Sequence, residues 1–179
     1  MSNGDLMLDG TGSTFMNAGR VVLGGTATLQ DYFPGNAGIG TFVNASGGSF
    51  VYSSSETNGI EPDFVNSVGA NLSITSGRFN ALNAFSQAGL LDIASGATLA
   101  SAGGFTTSGL LRGTGVVSIN SGTLVNAGTI SPGGFGVVGT LTVNGNLQLG
   151  AAGTLQIDSA SATSFDRIVG VNTLTASGG

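Results

Sequence analysis

The sequence predicts an all-β chain wound into a right-handed, single-stranded parallel β-helix of about seven or eight coils, each 19 to 27 residues long. Three observations carry that expectation. Glycine accounts for 33 of 179 residues while charged residues make up only 7%. Apolar and polar residues alternate in runs of three to five that stop at Gly, Asn or Ser. A five-residue unit then recurs along the chain: a bulky apolar residue, any residue, Asn or a polar stand-in, a small residue, and often Gly.

The glycine content argues against helices, because each internal Gly costs a helix about 1 kcal/mol and Gly interrupts nearly every stretch of six or seven residues. Lysine is absent and glutamate appears only at Glu56 and Glu61, which removes two strong helix formers. The alternation has the period of a strand, as in Val116-Val117-Ser118-Ile119, Thr140-Leu141-Thr142-Val143 and Asn146-Leu147-Gln148-Leu149. A disordered chain would be poor in the β-branched and aromatic residues that recur throughout this one.

The repeat reads Phe15 to Gly19, Phe42 to Ser46, Phe64 to Val68, Phe85 to Gly89, Phe105 to Gly109 and Leu124 to Gly128, with anchors 27, 22, 21, 20 and 19 residues apart. Three short strands and three turns fit one such period, and coils stack about 4.8 Å apart. Equivalent residues then lie above one another. Phe15, Phe42, Phe64, Phe85, Phe105 and Leu124 are expected to form one interior column, and Asn17, Asn44, Asn66, Gln87 and Asn126 a ladder of side-chain amides at a bend. Thr107 interrupts that ladder. Asp92 and Arg112 each follow their anchor by seven residues in neighbouring coils and are expected to pair on the outer surface.

From Gly128 the sequence becomes more specific: Gly128-Thr129-Ile130-Ser131-Pro132-Gly133-Gly134, then Val138-Gly139-Thr140-Leu141-Thr142-Val143-Asn144-Gly145-Asn146-Leu147. This stretch resembles the passenger domains of autotransporter-type proteins and related large bacterial exoproteins of the filamentous-haemagglutinin-like adhesin class. The following Gly153 to Asp158 and Ser164 to Val169 look like the next coils of that family. Phe135-Gly136-Val137 departs from the pattern, standing where family members often carry a second Asn-Ser-Pro turn. The resemblance implies a structural or adhesive segment of a secreted or surface-displayed bacterial protein, outside the cell or on the outer-membrane surface. Its partners would be a host-cell surface or another copy of itself. The absence of cysteine accords with export through a narrow pore.

The expected organisation is one β-helix over residues 1–179, a segment of a longer passenger, with a loop excursion at 53–63 and the most family-like coils at 128–169. No amphipathic capping helix is visible at Asp5 to Leu8 or Leu174 to Gly179, so end-to-end self-association is expected. Met1 to Asp5 shows no signal peptide, and no apolar run approaches the roughly 20 residues of a membrane span. A net charge of −5 with four Arg argues against nucleic acid, whose binding needs neutralised phosphates.

Catalysis is not expected, and no cofactor is. A Ser nucleophile lacks a His partner, because the chain has no His, and the same absence with that of Cys removes a zinc-type cluster. Most carboxylates are dispersed; only Glu56, Glu61 and Asp63 cluster, on the most loop-like stretch, and they are the one candidate for a cation or partner site. Two other readings stand beside the structural one. Thr26-Ala27-Thr28 and Thr140-Leu141-Thr142 resemble the Thr-x-Thr steps of ice-binding solenoids, giving an ice- or carbohydrate-binding face. A polysaccharide lyase or hydrolase is the third.

Overall fold

The computed structural model describes residues 5–9, 12–32, 39–55 and 59–177, with Asp9 and Tyr32 described by their backbone alone. The described residues form strands and turns with no helix, and parallel strands stack in about seven turns of a β-solenoid. The first coil holds β1 (Leu6–Asp9), β2 (Thr14–Asn17) and β3 (Arg20–Gly25). The second holds β4 (Leu29–Tyr32), β5 (Thr41–Asn44) and β6 (Ser49–Ser54). In the third, Ile60 stands in for the first strand and is followed by β7 (Asp63–Asn66) and β8 (Asn71–Ile74). The fourth is β9 (Arg78–Ala81), β10 (Phe85–Gln87) and β11 (Leu90–Ile93), and the fifth β12 (Thr98–Ser101), β13 (Gly104–Thr107) and β14 (Leu110–Gly113).

Higher up, two strands of each coil merge round a corner. The sixth coil is β15 (Val116–Asn126) and β16 (Thr129–Pro132), and the seventh β17 (Thr140–Leu149) and β18 (Thr154–Leu155), after which β19 (Arg167–Ala176) lies along β17. The corner inside β15 is made by Asn120, whose φ of 53° is the one positive value at a non-glycine among the described residues. Asn tolerates that left-handed conformation better than other residues with a side chain.

The expected columns are present. Phe15 pairs in register with Phe42, Phe42 with Phe64, and Phe64 with Phe85. Their rings stack at centroid separations of 5.2, 5.2 and 6.1 Å. Phe105 continues the column but meets Phe85 edge-on, at 5.0 Å and 90°. Leu124 and Leu147 follow in register. Each ring or aliphatic chain removed from water contributes about 1.5–3 kcal/mol, so this column is a main source of cohesion. The other two faces fill the interior from the side: Phe50, Tyr52 and Phe79 are buried, and Phe50 and Phe79 meet Phe64 edge-on at 5.1 Å.

The amide ladder runs beside the aromatic column. Asn17 Nδ2 donates to Asn44 Oδ1 at 2.8 Å, Asn44 Nδ2 to Asn66 Oδ1 at 2.9 Å, and Asn66 Nδ2 to Gln87 Oε1 at 2.8 Å. The second amide hydrogen of each Asn crosses the bend to a backbone carbonyl of the coil above, at Ser49, Asn71 and Leu90. These amides are buried, and burial is tolerable because both donors are satisfied. At Gln87 the chain of amides stops, since its Nε2 turns to the carbonyl of Gly89. The Thr107 hydroxyl above is buried with no partner, and Asn126 donates instead to the carbonyl of Thr154.

The glycine that ends the repeat unit has a steric reason. A Cβ on Gly109 would lie 2.0 Å from the carbonyl oxygen of Gly89, and one on Gly128 would lie 2.2 Å from that of Gly109. Successive coils touch backbone to backbone at these two bends, and only glycine fits there, whereas Ser46 and Val68 hold the same place in lower coils and Gly19 makes no such contact.

Candidate functional site

The only acidic cluster legible in the sequence lies between coils two and four. Glu56 lies outside the described residues. The excursion is shorter than 53–63: Ser53 and Ser54 complete β6, Asp63 opens β7, and Ile60 occupies a rung position bridging Leu29 and Ala81. The alternation of Ser49 to Ser54 continues the buried pattern of that strand through its serines, which polarity alone read as loop.

Glu61 and Asp63 do not converge. The Glu61 carboxylate reaches down one coil, where Oε2 accepts the backbone N–H of Asp31 at 3.0 Å, while its own N–H donates to Leu29 O at 3.1 Å. Asp63 Oδ1 points up one coil and accepts the N–H of Ala84 at 3.0 Å. Asn83 Nδ2 adds a bond to Glu61 O at the same place. Each carboxylate therefore satisfies a backbone donor where the ladder of the third face is incomplete, and the two act as fasteners between coils. Among the described residues no three Asp, Glu, His or Cys side chains gather where they could hold a metal ion.

Two buried aspartates escaped the sequence reading. Asp31 is 7% exposed, pointing inward from β4 two residues after the buried Leu29. Asp166 is 4% exposed, and both its oxygens are occupied: Oδ1 accepts Gly139 N–H at 2.7 Å and Oδ2 accepts Asp158 N–H at 2.9 Å. Asp158 in turn accepts Gly136 N–H at 2.7 Å. Together they tie the 157–166 excursion to the loop after Pro132. The only available signal was parity, in that Asp31 follows Leu29 by two and so shares its face.

Asp92 and Arg112 form the expected outer pair, register partners on β11 and β14 with Nη2 to Oδ2 at 2.8 Å and side chains about one-third exposed. The Thr-x-Thr steps do not line up. Thr28 is buried and hydrogen-bonds Asp5 Oδ1, and Thr142 stands in register with Val116 below and Val169 above. A Thr column does occur in pieces on the outer side of the aromatic face, as Thr14 over Thr41 and as Thr123 and Thr173 separated by Asn146. Comparisons with family models, with curated proteins and with solved structures return no match.

Proposed function

We propose that this chain is a structural or adhesive segment of a secreted or surface-displayed bacterial protein, a stalk of the autotransporter-passenger kind, without catalytic activity. The observation that supports the reading most is the use to which the polar residues are put. Asn17, Asn44, Asn66, Glu61, Asp63, Asp158 and Asp166 all join coil to coil or excursion to coil. A rod so fastened holds a distance and presents its faces, and the resemblance over Ser131 to Val169 supports the same placement outside the cell. Its partners would be a host-cell surface or a second copy.

The experiment is display of the chain on the surface of a non-adherent bacterium, with adherence to epithelial cells and autoaggregation measured against a scrambled repeat. A several-fold rise in either supports the reading. Turnover of acidic polysaccharides by the purified chain, retained after Glu61 and Asp63 are replaced, would replace it with the enzyme reading. The partial Thr columns on the outer aromatic face favour, second, an ice or carbohydrate surface. A thermal-hysteresis measurement and a crystalline-polysaccharide pull-down decide that, and no activity in both removes it.

A further inference from the structure

The two buried aspartates form an internal comparison. A buried carboxylate is tolerated when its oxygens accept hydrogen bonds or contact a positive charge, and its desolvation otherwise costs several kcal/mol. Asp166 meets the first condition in full. Asp31 meets neither in full: Oδ2 accepts the N–H of Gly40, while Oδ1 is buried with no partner. The one ion pair among the described residues is Arg112 with Asp92, far along the rod, so no guanidinium compensates Asp31.

A second unpartnered oxygen faces the same place. Ser13 Oγ is buried without a hydrogen bond. The point where Gly40 would carry a Cβ lies 3.0 Å from Ser13 Oγ and 3.2 and 3.3 Å from Asp31 Oδ2 and Oδ1. All three oxygens thus lie within 3.3 Å of one point, in the space beside Gly40 that a side chain there would crowd. Glu61 adds negative charge at the same level of the rod, its carboxylate resting on the backbone N–H of Asp31.

We propose that this space is a binding site for a single hard cation of the calcium type, held by Asp31 Oδ1 and Ser13 Oγ, with water completing its shell. Oxygen donors of mixed charge suit calcium, which accepts irregular coordination by six to eight oxygens. The ion satisfies both orphaned oxygens at once and neutralises the buried charge. Asp31 and Ser13 come from different coils, so the cation fastens the first coil to the second. This accounts for the acidic character of the region differently from the Glu56, Glu61 and Asp63 cluster: the ligand is the inward Asp31, and Glu61 contributes field. With one carboxylate in direct contact, affinity belongs in the millimolar range of extracellular calcium modules.

The test uses the full chain, with calcium chloride alone as probe, against chelator and against sodium chloride at equal ionic strength. Ten millimolar calcium is expected to raise the melting temperature on the order of 3 °C, by mass action on a millimolar site. Asp31→Asn and Ser13→Ala are expected to abolish and to diminish the rise, while Asp166→Asn, which alters the saturated aspartate, keeps it. Equilibrium dialysis of the unmodified chain with radioactive calcium is expected to give one ion per chain at saturation, a readout that stands even if Asp31→Asn does not fold. No bound calcium, a rise reproduced by sodium, or a rise undiminished in Asp31→Asn would each overturn the proposal.

Discussion

A buried amide that is fully hydrogen-bonded changes stability little compared with one whose partners have been removed. Asn66 shows this most clearly, accepting from Asn44 and donating to Gln87 and to the carbonyl of Leu90. Asn66→Ala orphans groups in the coil below and the coil above, and its expected cost is about 3 kcal/mol, read as a lowered midpoint in urea. Thr107 gives the opposite prediction. Its hydroxyl is buried without a partner, one register step above Gln87. Thr107→Asn offers Gln87 an acceptor and is expected to stabilise by about 1 kcal/mol, measured the same way. Failure of the substitution to stabilise would mean that the corner is too narrow for the longer side chain. The Phe and Asn positions were legible because the repeat returns them at a constant place relative to the turn. Phe50, Phe79 and Asp31 were not, since the residues in register with them differ in kind: Val21 and Leu72 flank Phe50, Leu99 lies over Phe79, and Leu8 lies beneath Asp31. Their inward orientation follows from strand parity, which becomes readable only once the start of each strand is known.

At the scale of the element, the corners decide more than the strands. Gly109 lies so close to the carbonyl of Gly89 that Gly109→Ala is expected to cost about 3 kcal/mol through displaced backbone, whereas Val65→Ala on the outer side of β7 changes little. Thermal melts of the two variants make the comparison. The sequence announced Gly109 and Gly128 without their reason, which is contact between coils rather than turn conformation. It also placed the acidic stretch in a loop, because consecutive serines look polar, although Ser54 is buried at the end of β6. Excursions from the solenoid are fastened by single carboxylates. Asp166→Ala frees two backbone donors, and hydrogen exchange is expected to accelerate in 133–139 and 157–166 while coils one to four keep their protection.

Over the whole molecule strands pair only with those of adjacent coils, and contacts that skip a coil, such as Tyr52 with Phe79, are few, so stability is close to a chain of nearest-neighbour terms. The coil-on-coil architecture was legible from the period alone, and the filling of the interior was not, because three faces contribute to it and the repeat unit describes one. The outer Asp92–Arg112 pair is exposed enough that its removal is expected to cost less than about 1 kcal/mol, with a denaturation midpoint nearly insensitive to salt. Phe64→Ala, by contrast, empties the place where rings from all three faces meet, and its expected cost is about 3–5 kcal/mol.

The interruption at Thr107 has a mechanical side. Between the fourth and fifth coils the aromatic face is joined by a single register pair, Gln87 with Thr107, where neighbouring coils are joined by three or four. The ring column turns edge-on there, the amide ladder stops there, and the one ion pair among the described residues bridges the same boundary from the outside. Tension along the axis would load every boundary equally and part the weakest first. On the aromatic face that weakest step lies between coils four and five, and the face opens there before its neighbours, while β9 with β12 and β11 with β14 hold the other two faces with four register pairs each.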